Sequence, residues 1–338
     1  MIKVENLKKI YKQPIKETGL RGSIKHFFAP KHVYKNAVDD INFEILEGES
    51  VAYLGKNGAG KSTTIKMLTG ILQPSEGKIS INNIDLKTQK LEYKKQIGVV
   101  FGQRTQLWWD LPISESFNLI RDIYEIDDKT YKENLRVFNE ILNLGEFSHL
   151  SARKISLGQR MKADIAAALL HNPKILYLDE PTIGLDIVAK EKIRAFLKFI
   201  NKEYKTTILL TTHDIGDIEE ICERLILIDS GKVFYDGRVD YILDTYGRFR
   251  KIHVRTEDFV DISKLYNQIN GSNISIEGTS DREFSISFDS TKISMKEVLD
   301  GTMRVVDIID MQTEQTGIEH ILKQVYEGTL NLGKEEDN

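Results

Sequence analysis

The sequence is short of several things at once. It holds one cysteine, Cys222, in 338 residues, so no internal disulfide framework exists and a reducing compartment is expected. Its neighbours DIEEICERLILI suggest a helix with apolar spacing and a buried structural thiol. No apolar run reaches the roughly 18 residues of a membrane span, and MIKVENLKKIYK lacks the apolar core of a signal peptide. The expectation is a cytoplasmic chain that meets a membrane only through a partner. A net charge of −4 argues against general nucleic-acid binding. The six histidines other than His213 form no cluster with cysteine or acids at metal-ligand spacing, so no protein-bound zinc or iron is expected. With 41% hydrophobic and 29% charged residues, this is an ordinary globular composition, long enough for a large domain and a smaller one.

Apolar runs of strand length alternate with helical patterns: SVAYL, GVVFG, KILYLDEP, TTILLTTHD, then LILIDSGKVFYDG as a closing hairpin. Such alternation predicts an α/β fold with a parallel sheet covered on both faces. From Pro112 to Leu150 the period is helical: SESFNLIRDIY sets Phe117, Ile120 and Tyr124 on one face, and TYKENLRVFNEIL opens with Thr130 and Glu133 in capping-box register. About residues 12–36 the chain is basic, with Phe27, Phe28 and Tyr34 interleaved; a solvated loop and a segment lying near anionic headgroups or an acidic partner are both open readings. A change of composition near Tyr246 divides a unit of residues 1–245 from a small α+β unit, 246–330, with the order βαββαβ, the ferredoxin-like split arrangement, and a last helix. Residues 331–338 form a polar tail.

GKNGAGKST satisfies G-x-x-x-x-G-K-[ST], between an apolar strand and a helix. Gly55, Lys56, Asn57, Gly58, Ala59 and Gly60 would offer backbone N–H groups to phosphates. Lys61 would supply charge to the outer phosphates, Ser62 a hydroxyl for Mg²⁺, and Thr63 follows in the first helical turn. ILYLDEP ends a buried strand on two carboxylates: Asp179 suits the metal, Glu180 the attacking water. Gln103 ends GVVFGQ, within reach of metal or water, and His213 ends TTILLTTHD, within reach of a γ-phosphate. ISLGQ, residues 155–159, sets Ser156 and Gly158 at the start of an alanine-rich helix, a natural anion site.

The ordered set GKNGAGKS, GQ, SLGQ, LYLDEP, GLD and TTHD resembles the nucleotide-binding subunit of an ABC (ATP-binding cassette) transporter, over residues 1 to about 240. The resemblance implies a P-loop NTPase: a RecA-like core with a helical subdomain, here about 104–168, and Mg-dependent hydrolysis of ATP to ADP and phosphate. It implies a head-to-tail dimer, homodimer or paired with a different cassette, sandwiching two ATP molecules. Each anion at Ser156, Leu157, Gly158 and Gln159 then belongs to the opposite chain, with Asp186 of GLD lining the same seam. It also implies a separately encoded integral membrane subunit that holds the protein on the inner face of the membrane. Against the usual LSGGQ, Leu157 replaces a glycine while keeping its N–H. An aromatic normally stacks on adenine ahead of the phosphate loop; the basic insertion obscures its position, leaving Tyr11 as the choice and Tyr34 as the rival. Trp108 and Trp109 are either core or an anchor for the membrane subunit. The insertion, SLGQRM, WWDLP and the C-terminal unit together look like the ABC-2 branch, which includes daunorubicin-resistance-type exporters. An importer ATPase and a soluble, non-transport ABC ATPase are the alternatives; a single phosphate loop and the absence of sustained heptads between Ser62 and Asp179 weigh against the latter.

Overall fold

The runs SVAYLG, IGVVF, ILYLD, TILLT and RLILID fold as strands of one sheet, nearly all of their residues buried. A strand apolar at every position has no solvent face, so both of its faces must be covered. The computed structural model describes residues 1–14, 32–102, 104–269, 274–315, 317–328, 330 and 332. It divides into two compact units, Met1–Gly237 and Arg238–Asn338.

In the first unit, β1 (Ile2–Pro14), β2 (His32–Ile45), β4 (Glu76–Ile81) and β5 (Ile84–Asp85) make an antiparallel sheet in the order β2-β1-β4-β5. The main sheet runs β10-β9-β3-β8-β7-β6, with β3 (Ser50–Gly55), β6 (Ile97–Phe101), β7 (Ile175–Asp179), β8 (Thr207–Thr211), β9 (Arg224–Asp229) and β10 (Lys232–Arg238). β6, β7, β8, β3 and β9 are mutually parallel. Their carboxyl ends therefore lie on one edge, where ligands bind in such sheets. The phosphate-loop sequence follows β3, Gly102 follows β6, Asp179 ends β7 and Thr212–His213 follow β8.

The helices of this unit are α1 (Lys61–Leu68), α2 (Lys90–Lys95), α3 (Ile113–Tyr124), α4 (Asp128–Leu142), α5 (Leu157–Leu169), α6 (Ile187–Tyr204) and α7 (Ile215–Ile221). α3 to α5 occupy the predicted helical region. α5 packs on β6 and α4 on α6, where Phe138 meets Phe196 edge-on at 5.3 Å. Two local readings are corrected. The cap of α4 is Asp127, whose carboxylate accepts from Lys129 N and Thr130 N, so Thr130 lies inside the helix. A carboxylate is as good a cap as a hydroxyl and also suits the positive end of the dipole. Cys222 is buried as expected, but just past the end of α7 rather than within it.

The second unit carries α8 (Val239–Tyr246), β11 (Phe249–Thr256), α9 (Ile262–Gln268), β12 (Ile274–Ser280), β13 (Glu283–Asp289), α10 (Met295–Met303), β14 (Ile308–Gln315) and α11 (Ile318–Glu327). Its sheet is antiparallel in the order β12-β13-β11-β14, the split βαββαβ arrangement. Ile252, Val254, Phe284, Ile286 and Phe288 pack with Leu265 and Val298 in a core of its own. The unit begins one helix earlier than the composition change suggested, because α8 packs against α11. The polar tail falls almost wholly outside the described residues.

Candidate functional site

The phosphate loop runs from the end of β3 to the start of α1. Gly58 and Gly60 both hold positive φ, 85° and 112°, and a Cβ at Gly60 would sit 2.5 Å from the Ala37 carbonyl oxygen. Only glycine satisfies both demands at position 60. Lys61 Nζ donates to Gly55 O at 2.5 Å and to Lys56 O at 3.3 Å, so its ammonium bridges its own loop. Burial holds its pKa below the usual lysine value, against the opposing pull of the Glu180 and Asp179 carboxylates. Those acids are thus its electrostatic neighbours.

Asp179 is fixed from three sides. It lies in register with Phe101 and Thr211, its Oδ1 accepts from Thr211 Oγ1 at 2.6 Å, and its carbonyl accepts from Gly102 N at 2.8 Å. Glu180 leaves the strand with φ 55°, left-handed for a residue with a side chain, a strained conformation costing about 1–3 kcal/mol. Its N–H donates to Thr211 O at 2.9 Å. The backbone passes so near Gly102 that a Cβ there would lie 2.1 Å from Glu180 O. Glu180 Oε1 is 3.2 Å from His213 Nε2.

Two cavities meet at Glu180. One, of about 290 Å³, is lined by Ser62, Gly102, Arg104, Asp179 and Glu180 among others. The other, of about 230 Å³, is lined by Glu180, Gly184, Lys190, Thr212 and His213 among others. A hydroxyl and a carboxylate facing one cavity beside a glycine-rich loop are hard oxygen donors, a set that suits Mg²⁺ shared with phosphate oxygens. Gln103 lies outside the described residues; its neighbours Gly102 and Arg104 line the first cavity.

Neither cavity is lined by Ser156, Leu157, Gly158 or Gln159. Ser156 caps α5 in a full capping box: its Oγ accepts from Gln159 N at 3.1 Å and its N–H donates to Gln159 Oε1 at 2.9 Å. The Ser156 hydroxyl keeps its own proton to donate, while the Gln159 amide oxygen is committed. Leu157 Cδ2 lies 3.3 Å from where a Cβ of Gly184 would stand, and Gly158 abuts Ala189. The substituted position therefore packs on the GLD turn of its own chain. Asp186 caps α6 by accepting from Ala189 N at 2.8 Å.

Tyr11 and Tyr34 sit on the ribbon that extends β1 and β2 into the basic segment. Tyr11 stands opposite Lys35 and Lys12 opposite Tyr34, so alternation puts the two tyrosines on opposite faces. Lys9 Nζ lies 5.5 Å from the Tyr11 ring centre. Residues 15–31, the middle of the basic insertion, fall outside the described residues.

One arrangement is invisible to motif reading. Asp217, fully buried, accepts from Thr182 Oγ1 at 2.5 Å, Thr212 Oγ1 at 2.7 Å and Arg194 Nε at 2.7 Å. Arg194 also reaches Asp214 and Glu220. Two residues beyond Glu180 and one before His213 are thus tied to a single carboxylate. Its sequence signal was the charge Arg194 set among the inward positions Ile193, Phe196 and Leu197 of α6.

A parallel sheet with a phosphate loop after β3 and paired acids at the end of β7 defines a P-loop nucleotide-binding protein. The ABC transporter family matches residues 38–183. The chain is 32% identical to the ABC transporter ATP-binding protein NatA of Bacillus subtilis, over 70% of this chain and 94% of that one. It is 31% identical to the methionine import ATP-binding protein MetN of Francisella tularensis, over 77% and 72%. In structure it is similar to the dimeric ATP-binding cassette MJ0796 with ADP and Pi bound: TM-score 0.58, 29% identity, 70% of this chain and 98% of that one. The chain belongs to the ABC transporter family as an ATP-binding, ATP-hydrolysing subunit. Among the described residues no helix is long and apolar enough to cross a membrane.

Proposed function

We propose that two copies of this chain close on two ATP molecules, hydrolyse them with Mg²⁺, and drive export through a separate membrane subunit. The observation that carries the chemistry is the meeting of Ser62, Asp179 and Glu180 at one cavity beside Lys61. Lys61 exchanges its loop carbonyls for the β- and γ-phosphate oxygens, and the loop N–H groups from Lys56 to Thr63 hold the rest of the chain of phosphates. Ser62, Asp179 and Gln103 would hold Mg²⁺, which when bound neutralises phosphate charge. Glu180 takes the proton of the attacking water as its oxygen bonds to the γ-phosphorus. The bond from that phosphorus to the bridging oxygen breaks, and ADP and phosphate leave. His213 holds the Glu180 carboxylate in place and faces the γ-phosphate.

The second copy supplies what each chain lacks. Its Ser156 hydroxyl and the N–H groups of Leu157 and Gly158, at a helix N-terminus, meet the γ-phosphate charge; Gln159 and Asp186 border it. Tyr11 stacks on adenine. Trp108 and Trp109, 39% and 50% exposed, anchor the membrane subunit, since exposed aromatics on a helical layer are apt interface anchors. Export follows the likeness of SLGQRM and WWDLP to the ABC-2 branch. Import is the second reading, favoured by the similarity to MetN.

Lys61→Ala tests the hydrolytic core. The rate of phosphate release from Mg·ATP is expected to fall by about two orders of magnitude, because the transferred phosphoryl loses its cation. A loss of under about threefold would contradict the assignment.

A further inference from the structure

Asp217, on α7, is a fully buried carboxylate that lines neither cavity, yet donors from three separate places in the chain converge on it. Its Oδ1 accepts from Arg194 Nε at 2.7 Å. Its Oδ2 accepts from both Thr182 Oγ1, at 2.5 Å, and Thr212 Oγ1, at 2.7 Å. A charge in such a place is tolerated only when it is paired and hydrogen-bonded. Arg194 supplies the opposite charge from α6, and its guanidinium lies against the start of α7, where a Cβ at Gly216 would stand 2.6 Å from Arg194 Nη1. The two hydroxyls are what the paired carboxylate holds. Thr182 lies two residues after Glu180, and Thr212 immediately before His213. Both threonines line the second cavity together with Glu180 and His213.

The end of the sheet shows why two turns need a shared acceptor. β7 and β8 stay in register up to Asp179 and Thr211, and Glu180 N then donates to Thr211 O. Beyond that bond no backbone hydrogen bond among the described residues fixes the distance between the two turns. Glu180 leaves its strand at φ 55°, a conformation that persists only where its surroundings over-determine it. Pro181, its φ fixed by the ring, stands between Glu180 and Thr182, so a hold on Thr182 reaches the acid with little slack. We propose that Asp217 is a positioning residue for hydrolysis: one carboxylate oxygen, shared by Thr182 and Thr212, sets the distance between Glu180 and His213, 3.2 Å from Oε1 to Nε2, and so aims Glu180 at the attacking water. The inference rests on the reading of Glu180 as the base. Asp217 acts only through the two threonines.

The test measures steady-state hydrolysis of Mg·ATP by the full-length chain. Thr182→Val and Thr212→Val each remove one hydroxyl while keeping the shape of the side chain. Each is expected to lower kcat about tenfold with KM changed by less than about twofold, since the phosphate loop is untouched and only the aim of the base is lost. Thr212→Val stands alone if Thr182→Val does not fold. Thr182→Ser and Thr212→Ser keep the donor and are expected to hold kcat within about threefold of the parent. In the Glu180→Gln background the base is already gone, so adding Thr212→Val is expected to lower the residual rate by less than about twofold, because both changes act through one group. The positioning role is overturned if the folded valine variants keep kcat within about twofold of the parent, or if KM rises as far as kcat falls. It is overturned as well if the serine variants are as impaired as the valine ones, or if Thr212→Val costs about tenfold again in the Glu180→Gln chain. Each of these results leaves Glu180 as the base provided that Glu180→Gln alone is inactive; a Glu180→Gln chain at the parent rate overturns that reading too.

Discussion

Burial acts oppositely on two side chains of the helical layer. It raises Asp164 to about pKa 6, against hydrogen bonds from Gln106 and Thr105 and the nearby Arg160 charge. It lowers His171 to about 4, against the hydrogen bond to Ile97 O. A carboxyl raised in the fold binds its proton more tightly folded than unfolded. Its contribution is fully present below the ordinary value near 3.8 and is lost as pH rises through about 6. His171, depressed, contributes above its ordinary 6.5 and loses that as pH falls through about 4. In the parent chain the two trends offset one another. Asp164→Asn removes one of them, so it is expected to be more stable than the parent by up to about 3 kcal/mol near pH 7.5, and by about half as much near pH 5. Paired denaturant titrations at the two pH values measure this; an equal difference at both would contradict it. The position is a residue-scale case of what a sequence conceals. Asp164 reads as one polar residue in an alanine-rich helix, and only the hydrogen bonds that Thr105 and Gln106 donate to it across the fold reveal why an acid is there.

At the scale of elements, the strand ends made the site legible. Four apolar runs ended in glycine, acid or histidine, and parallel pairing placed those ends on one edge. What stayed hidden depends on pairing between distant segments. The β1–β2 ribbon carries Lys12, Tyr34 and Lys35, whose charge and polarity read as loop; its backbone ladder, not an apolar face, makes it a strand. The Asp217 network joins Thr182, Arg194 and Thr212 from three elements, and no local pattern announces it. It holds the turns after β7 and β8 at a fixed spacing. Arg194→Leu strips a fully buried carboxylate of its guanidinium partner and is expected to cost about 3–5 kcal/mol by chemical denaturation. Joint replacement, Arg194→Leu with Asp217→Leu, is expected to recover part of that loss, because no unpaired charge remains. A single-variant cost below about 1 kcal/mol would show that the pair is not what ties α6 to the strand ends.

On the scale of the whole molecule, one chain brings Ser62, Asp179 and Glu180 to one cavity beside the phosphate loop, but its capping serine lines neither cavity at the phosphate edge. Sequence alone suggested that division of labour from the resemblance of SLGQ; the geometry adds that Leu157 braces Gly184 within its own chain. The second unit, with a sheet and core of its own, was legible because Phe284, Ile286 and Phe288 alternate with polar residues. The central claim is that each catalytic site is built from two chains, and mixing two inactive variants tests it most directly. Lys61→Ala spoils a chain's own cavity; Ser156→Arg spoils what it offers its partner. Each alone is expected to be inactive. In a two-fold dimer, random pairing of an equimolar mixture puts half of the chains into mixed pairs with one intact site each, so about a quarter of the parent ATPase rate is expected. A mixture as inactive as its components, or a Ser156→Arg chain that hydrolyses ATP at the parent rate, would contradict the account.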